Sequence, residues 1–164
     1  MKAITLWQPW ASAMALGAKR IETRHWPTNV RGPVAIHAAK RCVRRELDEY
    51  SYTPLWLAAL EISLVGDDLT TLLPFGAIVA VGNLVDCRPT ESFSSSEIET
   101  IRRRPDTHPL PRERWCERDM GNYGPGRFGW VFEEMRPLAE PVPFKGAQGF
   151  FNVPDELLNA ADGL

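Results

Sequence analysis

Short runs in which apolar residues dominate, or alternate with polar ones, predict a series of β-strands along this chain. In segment 21–24, Glu22 and Arg24 should share one face and Ile21 and Thr23 the other, because successive side chains of a strand point to opposite faces. Gly82 lies inside the longest apolar run and predicts a bulge or bend there. The strands expected are 3–6, 21–24, 34–38, 75–87, 128–135 and 150–153.

Helix-forming stretches separate some of these runs. Pro9 suits a first helical position, and Gly17 suits a helix end that needs positive φ. We expect a long loop over 105–126 and a connector over 137–149, because both are rich in Pro and Gly. Strands mixed with short helices, without a regular βαβ rhythm, predict an α+β fold around a small curved sheet or barrel. The helices expected are 9–16, 40–50, 54–64, 97–104 and 154–161.

Length and composition are typical of one globular domain, expected to span residues 1–164. The chain is 44% apolar and 24% charged, which excludes a wholly disordered or fibrous protein. No apolar run reaches the roughly 18 residues of a transmembrane helix, and the N-terminus lacks a signal-peptide pattern. We therefore expect a cytoplasmic protein without membrane contact, monomeric by default.

Cysteine and histidine spacing predicts neither disulfides nor a metal site. Cys42, Cys87 and Cys116 are odd in number, far apart and without a CxxC pair, which favours reduced thiols. The three histidines have no metal-ligand spacing. We expect no metal and no cofactor. His37 lies within an apolar strand and is interpreted as a hydrogen-bonded core residue in preference to a base.

Charge is distributed unevenly although the net charge is only −2. Residues 1–45 hold nine Lys and Arg against a single acid, Glu22, whereas residues 46–164 hold ten against twenty acids. A basic segment of this kind favours an anionic ligand such as nucleic acid. The alternative is that the two segments neutralise each other in the folded protein.

One motif stands at the centre of the basic segment. Residues 17–24, GAKRIETR, fit the pattern G-x-K-x-x-E-x-R. It is preceded by LWQPWA at 6–11 and followed by RGPVAIHAAK at 31–40, GAIVAVGNLVDC at 76–87 and YGPGRFGWVF at 123–132. The order and spacing of these blocks resemble the ASCH domain family, and segment 88–120 matches it least.

The resemblance implies a small PUA-like β-barrel flanked by short helices, with a cleft between the barrel and the N-terminal helix. It also implies that Lys19, Glu22 and Arg24 line this cleft. The family is associated with transcriptional coactivation, with ribonuclease activity and, in a small bacterial branch, with hydrolysis of N4-acetylcytidine. In that branch the resemblance places a threonine nucleophile at the position of Glu22, and because a carboxylate cannot serve as that hydroxyl, this departure argues against deacetylation by the same mechanism.

The motif residues each have a chemical and a structural interpretation. Lys19 can contact phosphate or serve as an acid or base, or it is an ordinary lysine at a helix C-terminus. Glu22 can accept a hydrogen bond from a base amino group or position water, or it forms a structural salt bridge with Lys19 or Arg24. Arg24 is expected to anchor phosphate or Glu22, because a guanidinium does not deprotonate.

Aromatic and polar residues around the motif extend the candidate site. Tryptophans between cations suit stacking on unpaired bases, although at least two of the six should fill the core. Gln8 can read a base edge, and the Gly-rich loop at 122–127 either closes over a ligand or is a simple turn. The expected ligand-binding residues are Trp7, Gln8, Trp10, Lys19, Arg24, Lys40, Tyr123 and Arg127.

These observations predict a nucleic-acid-binding domain that takes single-stranded RNA, or one extruded and modified nucleobase, in a basic cleft. A second hypothesis is a metal-independent hydrolase, a ribonuclease or modified-nucleoside amidohydrolase, with Lys19 and Glu22 as catalytic pair. A third is a coactivator-type adaptor that uses a Trp-rich surface. Phosphate loops of Walker or Rossmann type and a GxSxG elbow are missing from the sequence, which argues against nucleotide hydrolases and triad esterases.

Overall fold

A mixed six-stranded sheet, curled into a half-barrel, forms the body of the protein in a computed structural model that describes residues 1–41, 73–100, 102–103 and 114–161. The strands of this sheet are β1 Lys2–Leu6, β2 Ile21–Arg24, β3 Gly32–Ala38, β4 Ala77–Pro89, β7 Phe128–Pro143 and β8 Phe150–Asn152, with β5 Arg102–Arg103 and β6 Arg114–Trp115 as a separate pair. The strand order in the sheet is β2-β7-β4-β3-β1-β8, with β1 and β3 parallel and the other neighbours antiparallel. The α+β prediction is confirmed.

Short helices cover the sheet. They are α1 Trp10–Ala15, α2 Ser95–Ile98 and α3 Asp155–Ala161, together with 3₁₀ turns at Thr90–Ser92 and Glu117–Met120. Gly17 ends the first helix region at φ 70°, as predicted. The helix expected at 54–64, and all but the first two residues of that expected at 40–50, lie outside the described residues.

Two expected elements differ from the structure. The helix predicted at 97–104 is wrong in extent: α2 spans Ser95–Ile98, and Arg102–Arg103 belong to a strand because they pair with Arg114–Trp115. The connector predicted at 137–149 is strand up to Pro143. Its prolines are tolerated because β4 and β7 pair with register shifts, one of which skips Gly82 as expected of a bulge.

The sheet is packed on both faces. On one face Ile4, Ile36 and Phe132 pack with Met14 of α1, while the other face packs on α3. Trp130 is fully buried, and Trp26 packs edge-on against it at 4.6 Å, so at least two tryptophans serve the core as predicted. Burial on both faces fixes β1 in the centre of the fold. The residue that follows its C-terminal end lies at the molecular surface.

His37 is a buried and hydrogen-bonded core residue, as expected. Its Nε2 lies 3.0 Å from the carbonyl oxygen of Phe144, and its Nδ1 lies 3.2 Å from the Thr5 hydroxyl. Burial lowers the pKa of His37, because the charged imidazolium loses hydration. Cys87 and Cys116 are both free thiols.

The lowered pKa of His37 makes stability pH-dependent. Between the ordinary histidine pKa near 6.5 and the lower pKa of His37 in the folded state, the unfolded chain binds a proton at this side chain and the folded chain does not. The free energy of unfolding should therefore fall as the pH is lowered through this range. Urea unfolding between pH 7.5 and 5.5 measures this fall. A His37→Gln variant should lose most of the dependence, and an equal slope in both proteins would contradict the assignment.

Candidate functional site

Lys19 is buried within the protein, at 0% exposure. Its Nζ donates hydrogen bonds to the carbonyl oxygens of Ile21 at 2.5 Å and Met120 at 2.7 Å, and lies 3.4 Å from Oε2 of Glu22. An ammonium has three donors, and these contacts occupy them. The lysine is therefore neither a surface residue nor placed to reach a phosphate directly, and it acts on the site through Glu22.

Glu22 lies between two cations. Its Oε1 is 2.9 Å from Nε of Arg24, whose Nη2 donates to the carbonyl oxygen of Thr5 at 2.7 Å. The two side chains share one face of β2, with Ile21 and Thr23 buried on the other, as the alternation predicted. Glu22 forms salt bridges with both Lys19 and Arg24, and its side chain remains 13% exposed.

A second buried charged side chain, Glu117, also holds the motif in position. Its carboxylate accepts the backbone N–H of Arg20 at 2.6 Å and of Ile21 at 3.2 Å. Lys19 thus donates to the 3₁₀ turn at Glu117–Met120, and Glu117 of that turn accepts from the start of β2. These two sets of contacts hold the turn against the strand. The partners are about a hundred residues apart, and Glu117 and Met120 lie in a stretch predicted as loop, so no local sequence pattern marks this contact.

The motif side of β2 opens into a cleft of about 410 Å³. Four parts of the chain form it: the end of β1, helix α1, β2 with the residue after it, and the segment from the 3₁₀ turn to the start of β7. The lining residues are Leu6, Trp7, Trp10, Glu22, Thr23, Arg24, His25, Asp119, Met120, Gly121, Asn122 and Arg127.

Five of the predicted site residues meet in this cleft, and four do not. Trp7, Trp10, Glu22, Arg24 and Arg127 line it. Outside the lining are Gln8, Lys19, Lys40 and Tyr123.

The residues outside the lining have other contacts. The buried Gln8 amide donates to the carbonyl oxygen of Pro74 at 2.7 Å and accepts the N–H of Ser12 at 3.1 Å, which leaves no base edge within its reach. Tyr123 packs edge-on against Phe93. Lys40 lies at a neighbouring groove.

Sequence reasoning missed His25 and Asp119 as lining residues. His25 directly follows the motif strand, and that position is the signal that could have identified it. The Asp119 carboxylate accepts the N–H of Cys116 at 2.8 Å and has no comparable signal. Asn122 was singled out only as part of the Gly-rich loop, and its side-chain oxygen accepts the N–H of Gly124 at 2.9 Å.

The cleft combines stacking surfaces with charged hydrogen-bonding groups. Trp7 stands at the rim with 45% exposure. Arg127 donates from Nη2 to the carbonyl oxygen of Thr23 at 3.2 Å, and its Nε is buried without a hydrogen-bond partner among the described residues. Glu22 supplies an acceptor on the adjoining wall. An aromatic rim, a fixed carboxylate and an arginine with spare donors suit a planar, polar and partly anionic ligand.

Comparison with known proteins decides the family. The sequence profile of the ASCH domain matches residues 4–137. The chain belongs to the ASCH domain family. The family is generally thought to bind RNA.

Two curated relatives and one solved structure are similar to this ASCH domain. Activating signal cointegrator 1 from Homo sapiens and from Mus musculus are each 32% identical over 91 residues, which is 55% of this chain but only 15% of either relative. The crystal structure of ASCH from Zymomonas mobilis is 14% identical with a TM-score of 0.50, covering 95% of this chain and 89% of the other. That likeness supports the PUA-like small barrel with short helices.

Within the described ranges, no three His, Cys, Asp or Glu side chains are grouped closely enough to hold a metal ion. In that same part of the chain, no helix has the length and apolar character needed to cross a membrane.

Replacing Lys19 should destabilise the protein strongly. A Lys19→Met variant removes the donor to two buried carbonyl oxygens and one of the two cations that contact Glu22, and we expect a loss of about 3–5 kcal/mol in the free energy of unfolding. Urea denaturation measures it. The matched control, Lys2→Met, removes an exposed lysine and should change stability by less than about 0.5 kcal/mol. Equal urea midpoints for the two variants would refute a structural role for Lys19.

Proposed function

We propose that this ASCH domain binds single-stranded RNA and holds one unpaired base in the cleft beside Glu22. The observation that carries the proposal is the pairing of an exposed tryptophan, Trp7, with a carboxylate that two cations fix in position. The RNA association of the family supports the same conclusion.

Stacking is the first part of the argument. Trp7 leaves nearly half of its surface in water at the rim, while Trp10 contributes to the wall behind it. A large exposed aromatic at a cleft is typical of a binding surface, since burying it against a ligand is favourable. Stacking of a base on an aromatic side chain contributes about 1–3 kcal/mol and tolerates any base.

Base selection is the second part. Lys19 and Arg24 each occupy one oxygen of Glu22, and every carboxylate oxygen has a further lone pair. Glu22 can therefore accept N–H groups from the edge of a base, and it favours bases that carry an amino group. This is the role in which its fixed orientation matters most.

Phosphate contact is the third part. Arg127 lies on the cleft wall together with Asn122 and His25. Its unused donors suit a phosphate oxygen, which arginine binds well because of its planar fork. A nucleotide held this way would have its base near Glu22 and its phosphate near Arg127.

The hydrolase hypothesis has weaker support. A catalytic Lys19 would have to exchange a proton with the substrate, but its ammonium is enclosed by two carbonyl oxygens and Glu22. The adaptor hypothesis needs a broad aromatic surface. Trp26 and Trp130 pack in the core, and Trp7 is the one exposed tryptophan among the residues whose burial the structure describes.

Removing the rim aromatic should weaken RNA binding. For a Trp7→Ala variant we expect the dissociation constant of a fluorescein-labelled, ten-nucleotide single-stranded RNA to rise roughly 5- to 150-fold, measured by fluorescence anisotropy. The control is Leu157→Ala, which removes a side chain of 40% exposure on α3 and should leave affinity unchanged. Wild-type affinity should fall steeply with salt. The proposal fails if wild type does not bind at micromolar protein, or if the two variants bind alike.

A further inference from the structure

A second depression, here named the basic groove, lies beside the cleft and has a volume of about 750 Å³. Its walls carry Lys40, Arg41 and Lys145, and its apolar surface comes from Phe75 and Phe144. Asp and Glu are missing from its described lining, whereas the cleft contains two carboxylates. The groove is therefore the more cationic of the two sites.

The cations of the basic groove have no carboxylate partner in the part of the chain that the structure describes. Lys40, Arg41 and Lys145 form no ion pair with any carboxylate in the described ranges. Other arginines do: Arg118 lies 2.8 Å from Glu99, and Arg88 lies 3.2 Å from Asp86. Three positive charges that lack a described carboxylate partner, placed around one concave site, attract an anion, even in a chain whose net charge is −2.

The groove is held by hydrogen bonds to the central strands. The Thr5 hydroxyl donates to the carbonyl oxygen of Ala147 at 3.0 Å. The carbonyl oxygen of Phe144 lies 3.0 Å from Nε2 of His37. The backbone N–H of Phe144 donates to Gly76 at 3.0 Å. The segment that carries Lys145 is thus fixed against β1 and β3, so the groove is formed before a ligand arrives.

The cleft and the basic groove meet at the end of β1. Thr5 lines the groove, and the next two residues line the cleft. Arg24, in the cleft, donates to the carbonyl oxygen of Thr5. Arg41 lies over the ring of Trp7, with 5.2 Å between its guanidinium carbon and the ring centroid. The rim aromatic therefore lies between the two sites and touches a cation of the groove.

From this arrangement we infer that the basic groove binds the backbone phosphates of the RNA strand whose base occupies the cleft, with Lys40, Arg41 and Lys145 as the phosphate contacts. The inference rests on the proposed function and makes it narrower: the ligand is an oligonucleotide, and a free nucleoside lacks the groove contacts. Phe75 and Phe144 offer an adjoining nucleotide an apolar surface.

The test compares two double variants by anisotropy with the same labelled ten-nucleotide RNA across salt concentrations. Lys40→Gln with Lys145→Gln removes two groove charges, and the matched control, Lys2→Gln with Arg136→Gln, removes two exposed charges outside both sites. The groove variant should bind at least about fivefold more weakly at 0.1 M salt, and the slope of log K against log salt should shrink by about 0.7 per lost contact. The control should match wild type.

Three outcomes would overturn the inference, and they are distinguishable. If the groove variant binds RNA like wild type while Trp7→Ala still weakens binding, the groove is not used but the cleft proposal stands. If wild type binds no RNA, both fall. If a poly-glutamate peptide displaces the RNA from wild type as effectively as unlabelled RNA does, the groove is a general polyanion site and not an RNA contact. A groove variant with unchanged urea midpoint excludes unfolding as the cause of lost binding.

Discussion

A buried ammonium is the constraint on which this site depends. Taking the charge of Lys19 out of water is costly unless every donor finds a partner. The carbonyl oxygens of Ile21 and Met120 and the Glu22 carboxylate meet that need, and in doing so they join the start of β2 to a turn a hundred residues later in the chain. The wall of the cleft exists because this contact brings the two segments together.

The same contacts give the motif two roles at once. Lys19 and Arg24 hold Glu22 from either side, and Arg24 reaches on to the backbone of Thr5. Glu22 is therefore restricted in orientation while part of it stays open to the cleft. The structural salt bridges of Glu22 are present with both cations, and because they leave part of the carboxylate open to the cleft, they are compatible with the proposed ligand contact.

Local patterns predicted those features that depend on neighbouring residues. The alternation of apolar and polar residues predicted β2 and the face that Glu22 and Arg24 share. Gly17 predicted the end of the first helical segment. Features set by distant partners were not predictable. The burial of Lys19 and the role of Glu117 both depend on a turn that the sequence presents as loop. Likewise β7 continues through several prolines because bulged pairing with β4 accommodates them.

The arrangement of charge separates two kinds of recognition. In the cleft, Lys19 and Arg24 are already engaged by Glu22, so little of their charge is free to attract an anion over distance. In the proposed complex, stacking on Trp7 and hydrogen bonds to a base edge supply the affinity of the cleft beyond the single phosphate contact of Arg127, and both depend only weakly on salt. The cations without a carboxylate partner among the described residues lie in the adjoining basic groove. Salt sensitivity should therefore arise chiefly from the groove and base preference from the cleft, with Trp7 and Arg41 in contact where the two sites meet.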